Sequence, residues 1–437
     1  MTKTKTVRRK PRSHVAAKAP ARKGDAVPTA AEMIARARAL IPKLRERARQ
    51  TEQLRRLPPE TVADLKAAGI HKIYTPRRYG GFEMDWGVHV DVTRELGRAC
   101  GSTAWVASVV YCHTWLLARF PPKAQEEFWP KCPDAVIGTA FAGGGTMREV
   151  KGGYVLNGQW KFSSGIDHSD CAVVAARVGD YDPHSGQRAI FRMALLLPED
   201  YEMIDVWESE GLRGTGSNDI KVTELFIPAH RTILTEEATG TTPPGAKLHD
   251  KYIYSVEFSP YFFTLIAGPM MGTAIGAFEE YCRQTTTRKG QMSKESIVDQ
   301  VPVQIRVGES AAELQAARLL IDNVNKWLGD FGIARRPLPG TSLAAIRRDL
   351  ALAAKLCLRS AGRIAGMMGV TGQIGHNPVQ RLYRDLRTIC SHGGIQWDAS
   401  MGPVGKLLFG LSTGDAKVDA DRRFLDPAGP SSLFDVE

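Results

Sequence analysis

The sequence predicts a mainly α, α+β protein in three parts: an N-terminal helical domain, a middle antiparallel β-barrel and a C-terminal four-helix bundle. Three observations carry this. Apolar residues recur at helical spacing from about residue 29 to 129, and again from about 260 to 392. Between them, from Asp134 to about Pro228, short runs rich in β-branched and aromatic residues are separated by Gly, Asn, Asp and Pro. A Thr/Pro/Gly segment from Thr239 to Ala246 then precedes the second helical stretch. These shifts divide the chain into a disordered basic tail (1–27), a helical domain (28–133), a β domain (134–237), a helical bundle (247–412) and a C-terminal extension (413–437).

Each element has a local cause. Thr29-Ala30-Ala31-Glu32 has the form of a capping box and opens a helix running toward Leu57, which Pro42 is expected to kink or end. Pro58-Pro59 starts a second helix that Gly69 closes, and a turn at Pro76 to Gly81 precedes helical pattern from Trp86 to Trp129. Strands are expected at Ala135–Phe141, Gly153–Phe162, Cys171–Val178, Arg188–Leu197 and Ile220–Phe226. Bundle helices are expected near 260–288, 300–329, 342–369 and 377–392.

Composition narrows the class. With 43% hydrophobic and 24% charged residues the chain is ordinary globular protein. Its net charge of +11 is concentrated: residues 1–24 carry nine Lys and Arg and no acid. The basic balance thus describes a tail, read as disordered, and no nucleic-acid partner is expected. Seven scattered cysteines without a C-x-x-C pair suit a reducing cytoplasm and give no metal-ligand pattern. The uncharged stretch from Ser259 to Phe278 is long enough to span a bilayer, but its Gly268, Pro269, Gly272 and Gly276 favour a helix buried inside a bundle, so no membrane span is expected.

The β region contains Trp160-Lys161-Phe162-Ser163-Ser164-Gly165-Ile166-Asp167-His168. In a regular strand Trp160, Phe162 and Ser164 share a face, an aromatic wall ending in a hydroxyl, which suits a planar polar ring; an aromatic strand running into a Ser-Gly turn is the plainer reading. The wider pattern adds to it. Pro58-x-x-Val62-x-x-Leu65-x-x-Ala68-Gly69, Gly211-Leu212-Arg213-Gly214-Thr215-Gly216-Ser217 and Pro378-Val379-Gln380-Arg381-Leu382-Tyr383-Arg384-Asp385, in this order over residues 30 to 410, resemble the acyl-CoA dehydrogenase superfamily. Trp160-x-Phe162-x-Ser164-Gly165, Ala104-Trp105-Val106-Ala107 followed by His113, and His392 followed by Trp397-Asp398 are similar to its two-component aromatic hydroxylases, the oxygenase components acting on p-hydroxyphenylacetate and on the phenolic ring of degraded steroids.

That resemblance implies an acyl-CoA dehydrogenase-like fold, a homotetramer, and reduced FMN (or FAD) delivered by diffusion from a separate NAD(P)H-dependent flavin reductase. Dioxygen is then the co-substrate, with no metal, and a C4a-hydroperoxyflavin hydroxylates a small aromatic substrate. It assigns Trp160, Phe162, Phe141, Ser163, Ser164, Arg288 and Arg213 to the flavin, with Ser164 or Ser163 accepting from flavin N5–H and Ser164 preferred by strand parity. His113, Trp105 and His392 are assigned to the substrate, with His392 a proton acceptor. Placed at a helix C-terminus, His392 is expected to gain about 0.3–1 kcal/mol as the imidazolium. Each imidazole has a plainer reading as a hydrogen-bonded core residue, and Arg213 and Arg384 one as ion-pair partners.

Two departures from the parent family matter. The stretch after Asp385 carries no carboxylate, and the other family position for the dehydrogenase base falls near Tyr261, so α,β-dehydrogenation lacks a proton acceptor. Met367-Met368-Gly369-Val370 stands where a Gln-x-x-Gly-Gly run would hold the adenine end of FAD, which favours FMN. The alternatives are an N- or S-oxidising monooxygenase on the same fold, a DNA-associating flavoprotein of that fold suggested by the basic tail, and a residual acyl-CoA dehydrogenase.

Overall fold

Thr29 and Glu32 close the start of the first helix reciprocally, the hydroxyl accepting from the Glu32 N–H and the carboxylate from the Thr29 N–H. The computed structural model describes residues 5–8, 27–141, 143–182, 184, 186, 188–290 and 292–420. Its N-terminal helices are α1 (Ala30–Leu54), α2 (Pro59–Ala67), α3 (Gly87–Gly97), α4 (Gly101–Val109), α5 (Thr114–Leu117) and α6 (Pro122–Phe128). Pro42, expected to kink or end the first helix, lies inside α1. Buried Ala37, Ile41, Leu44 and Ala48 on either side of it offset the lost backbone bond.

The β region holds β1 (Lys5–Arg8), β2 (Ile137–Ala140), β3 (Gly143–Val150), β4 (Gly153–Ser163), β5 (Cys171–Val178), β6 (Phe191–Leu196), β7 (Glu202–Asp205), β8 (Asn218–Pro228) and β9 (Thr232–Leu234). They form one sheet in the order β1-β7-β8-β4-β3-β5-β6-β9, with β2 also on β5. Three differences from expectation stand out. The β2–β5 and β3–β5 pairings are parallel, so the sheet is mixed rather than wholly antiparallel. The chain reverses at the β3–β4 hairpin and again after β4, and β5 then pairs on the far side of β3 in the same direction. Strand β3 was not expected, because Gly143-Gly144-Gly145 reads as a loop; Gly145 is required there, since a Cβ would lie 2.1 Å from the Trp160 ring. Finally, Lys5–Arg8 of the tail expected to be disordered pairs antiparallel with β7. Residues 1–4 and 9–26 of that tail, and residues 421–437 of the C-terminal extension, lie outside the described residues.

The second helical region comprises α7 (Thr235–Thr239), α8 (Phe258–Thr264), α9 (Ala267–Thr285), α10 (Val301–Ile333), α11 (Gly340–Met367), α12 (Pro378–Cys390), α13 (Trp397–Leu408) and α14 (Ala416–Ala420). The glycines of the apolar stretch now have a purpose. A Cβ on Gly268, Gly272 or Gly276 would fall 2.6, 2.1 or 2.5 Å from the carbonyl oxygens of Val90, Arg94 and Arg98. Helix α9 therefore lies backbone to backbone on α3, and the apolar window within Phe258–Thr285 is 78% buried.

Burial also sets a pH dependence. Desolvation lowers His89, between α3 and α4, and His249 to about 4. An unfolded imidazole binds its proton near 6.5, so the unfolded state holds more protons between these values and stability falls as pH drops through that window. Each imidazole contributes a slope approaching about 1.4 kcal/mol per pH unit. We expect a lower urea midpoint at pH 5 than at pH 7.5; an equal or higher one contradicts this.

Candidate active site

A cleft of about 550 Å³ opens where α4, the end of β2, the end of β4, α8 and the C-terminus of α12 meet. That volume suits a small-molecule site. Trp105 and Val109 come from α4, and His113 from the turn after it; Thr139, Ala140 and Phe141 come from β2 and the residue following it. Phe162 and Ser164 stand at the end of β4, Phe262 on α8, and His392 just past α12. Among the described residues lining the cleft there is no Asp or Glu. Tyr261 is no substitute base: its hydroxyl donates to the Leu328 carbonyl at 2.5 Å and burial pushes its pKa up. A larger cavity of about 700 Å³ bordered by α8, α11 and α13 carries Glu257, Lys417 and Arg347 but no imidazole.

The end of β4 departs from strand parity. Its pairing with β8 shifts register between Trp160 and Ser163, and Phe162 adopts φ +64°. Trp160 consequently turns into the sheet core, fully buried, with Nε1 donating to the Ala175 carbonyl at 2.6 Å. Ser163 is buried, its hydroxyl without a hydrogen-bond partner among the described residues and outside the cleft lining. Ser164 faces the cleft. Its Oγ accepts from Trp105 Nε1 at 3.0 Å and is 2.8 Å from Ser217 Oγ, which is 2.7 Å from Thr215 Oγ1. Gly165 permits the φ of +65° that ends the strand, close against Val106 of α4 and Val110 just after it.

The two imidazoles are held differently. His113 Nδ1 lies 3.1 Å from the Ile137 carbonyl, an acceptor only, so Nδ1 carries the proton and Nε2 keeps a lone pair. The Thr139 hydroxyl is 3.5 Å from that Nε2. Desolvation lowers His113 to about 4, which keeps the ring neutral. His392 Nδ1 instead accepts from the Gly394 N–H at 3.1 Å, so its neutral ring carries the proton on Nε2. The expected imidazolium at a helix end is corrected: α12 stops at Cys390, His392 has extended backbone, and burial lowers its pKa. The cleft thus offers one imidazole as acceptor and one as donor.

Of the residues expected at the site, the fold brings Trp105, His113, Phe141, Phe162, Ser164 and His392 together. It places four elsewhere. Trp160 and Ser163 are displaced by the bulge, and Arg213 is exposed outside the lining. Arg288 donates to the Met368 carbonyl at 3.2 Å, also outside the lining. Arg384 pairs with Glu52 at 2.8 Å, and Asp385 accepts from the Leu212 N–H at 2.7 Å. Thr139, Ser217, Trp207, Lys161 and Phe262 also line the cleft and were not singled out. Ser217, the last residue of the 211–217 motif, and Lys161, inside the 160–168 run, carried a signal.

Comparison with known proteins identifies the family and the fold. The acyl-CoA dehydrogenase N-terminal domain family matches residues 29–132, and the acyl-CoA dehydrogenase C-terminal domain family matches 264–397. The chain is 34% identical over 381 residues to the flavin-dependent monooxygenase oxygenase subunit HsaA of Mycobacterium tuberculosis, covering 87% of this chain and 95% of that one. It is 28% identical to the p-hydroxyphenylacetate 3-hydroxylase oxygenase component of Acinetobacter baumannii, covering 87% and 89%. The structure of XiaF from Streptomyces sp. in complex with FADH2 and glycerol superposes with a TM-score of 0.82 at 26% identity, covering 89% and 97%.

The tautomers are directly measurable. Long-range ¹H–¹⁵N correlation at pH 7.5 should show His113 protonated on Nδ1 and His392 on Nε2; the same tautomer for both would refute the assignment.

Proposed function

Because the chain belongs to the acyl-CoA dehydrogenase family, among the oxygenase subunits of flavin-dependent monooxygenases, we propose that it takes reduced flavin from a separate reductase and, with dioxygen, hydroxylates a small phenol. One observation carries this reading: an acid-free aromatic cleft in which a buried serine and two neutral imidazoles of opposite tautomer converge. The residues fit a flavin ring. Trp105, Phe141 and Phe262 supply flat apolar walls, and Ser164 supplies a polar contact at the edge.

Reduced flavin, when bound, supplies the electrons that activate dioxygen. The residues do the rest. Ser164 would accept from the N5–H of the bound ring, and the aromatic walls would keep water away from that hydrogen bond. His113 Nε2, with its lone pair, accepts the phenolic proton as the ring is attacked, which raises the electron density of the substrate. His392, with Nδ1 occupied, would offer its Nε2–H as a hydrogen-bond donor to an oxygen in the cleft. The base role expected of His392 therefore moves to His113, because the Gly394 N–H occupies the only free lone pair of the His392 ring. One oxygen atom enters the substrate and the other leaves as water.

The substrate class follows from the imidazole pair and from the phenolic acid in the name of the Acinetobacter baumannii relative. For the cofactor, the Met367-Met368-Gly369-Val370 run, which lacks the Gln-x-x-Gly-Gly pattern, favours FMN, while the FADH2 held by the Streptomyces structure favours FAD, so both are assayed.

The test mixes the protein with photoreduced FMN or FAD, dioxygen and a phenol such as p-hydroxyphenylacetate, then measures catechol and hydrogen peroxide. Catechol formation supports the reading. No affinity for reduced flavin, or bleaching of bound flavin by an acyl-CoA thioester, overturns it. His113→Ala should lower catechol yield by roughly 10²-fold while peroxide rises. Ser164→Ala should raise the peroxide fraction and Ser163→Ala leave it unchanged; equal effects from the two serines would remove Ser164 from its role.

A further inference from the structure

Four buried groups form a hydrogen-bonded row running from the cleft to a backbone carbonyl. Trp105 Nε1 is 3.0 Å from Ser164 Oγ, Ser164 Oγ 2.8 Å from Ser217 Oγ, Ser217 Oγ 2.7 Å from Thr215 Oγ1, and Thr215 Oγ1 2.9 Å from the Leu212 oxygen. The far end fixes the direction of every proton. A carbonyl only accepts, so Thr215 donates to it. With that proton committed, Ser217 must donate to Thr215, and Ser164 must donate to Ser217. Indole N–H only donates, so Trp105 occupies one Ser164 lone pair. Ser164 is left with a single lone pair for whatever lies in the cleft.

The row is also protected from reversal. Ser164, Ser217 and Thr215 are buried, at 9%, 3% and 1% exposure, so water has little access to offer another partner. The terminating carbonyl belongs to Leu212, held in the left-handed region at φ +53°. It is pinned by Asp385 on its own N–H, and its oxygen also accepts from Trp207 Nε1 at 2.9 Å. The Thr215 carbonyl accepts from the Gly165 N–H at 2.8 Å, which ties the 211–217 loop to the end of β4.

Building on the flavin reading above, we infer that Ser217 and Thr215 are positioning residues that aim the Ser164 hydroxyl proton away from the cleft, so that the site binds reduced flavin in preference to oxidised flavin. Reduced flavin presents N5–H, which a lone pair receives. Oxidised flavin presents an N5 lone pair, which meets the Ser164 lone pair with no proton between them. Ser217 also borders the cleft, but the role inferred here for both residues runs through the direction of the Ser164 proton.

The experiment measures the ratio of the dissociation constants of oxidised and reduced FMN, the latter anaerobically, for the purified full chain. Ser217→Ala and Thr215→Val each free the Ser164 proton to turn into the cleft. They should tighten oxidised FMN, weaken reduced FMN, and shrink the ratio roughly fivefold or more, the scale of one hydrogen bond. Thr215→Ser keeps the row and should keep the ratio. Ser164→Ala should weaken reduced FMN with no gain for the oxidised form, which separates loss of the acceptor from its reorientation. If the wild type discriminates and Ser217→Ala and Thr215→Val discriminate equally, the inference is overturned while the flavin reading stands. If the wild type binds neither form, the flavin reading itself fails and takes the inference with it.

Discussion

The hydrogen bond from the Leu212 N–H to the buried carboxylate of Asp385, 2.7 Å long, holds the site together. It joins the last long helix to the loop between β7 and β8, and both carry cleft residues. Desolvation raises Asp385 to about 6, so the fold tolerates a poorly solvated carboxylate to make this contact. The loop has no slack beside it: a Cβ on Gly211 would lie 2.0 Å from the Arg384 carbonyl oxygen. With Leu212 fixed, its oxygen receives Trp207 and Thr215, and the polarity of the serine hydroxyl in the cleft follows.

The scaffold and its chemistry separate cleanly. The N-terminal helices and the bundle match the acyl-CoA dehydrogenase family, while the described residues lining the cleft include no carboxylate to remove a carbon-bound proton. In its place stand two imidazoles whose tautomers are set by backbone groups, a carbonyl for His113 and an amide for His392. Because burial keeps both neutral, the pair supplies a lone pair and a proton in one cavity without adding net charge.

Much of this was legible in the sequence, for physical reasons. Hydrophobic spacing over long stretches marked the helical regions, and the Thr29/Glu32 pair marked the start of α1. The glycines of α9 argued correctly for close packing inside protein. His113, His392 and Ser164 reached the cleft because whole motifs, not single residues, pointed to it. Strand parity placed Trp160 wrongly, since one bulge before Ser163 rotates everything preceding it. The same bulge left Ser164 as expected and removed Ser163. Helix-dipole reasoning failed at His392 because α12 ends two residues earlier. The tautomers and the Ser217–Thr215 row were invisible, since they depend on contacts that only the folded chain makes: the Ile137 carbonyl on His113, the turn that brings the Gly394 N–H back to His392, and the approach of Ser217 to Ser164.

The contact between α9 and α3 has a mechanical corollary. With peptide oxygens of one helix seated on the glycines of the other, the N-terminal helices and the bundle cannot swing apart like jaws without breaking that seam. Traffic into the cleft must therefore depend on smaller movements at its mouth. There Phe162, 61% exposed at the C-terminal end of the interior strand β4, belongs to the rim rather than to the inner wall.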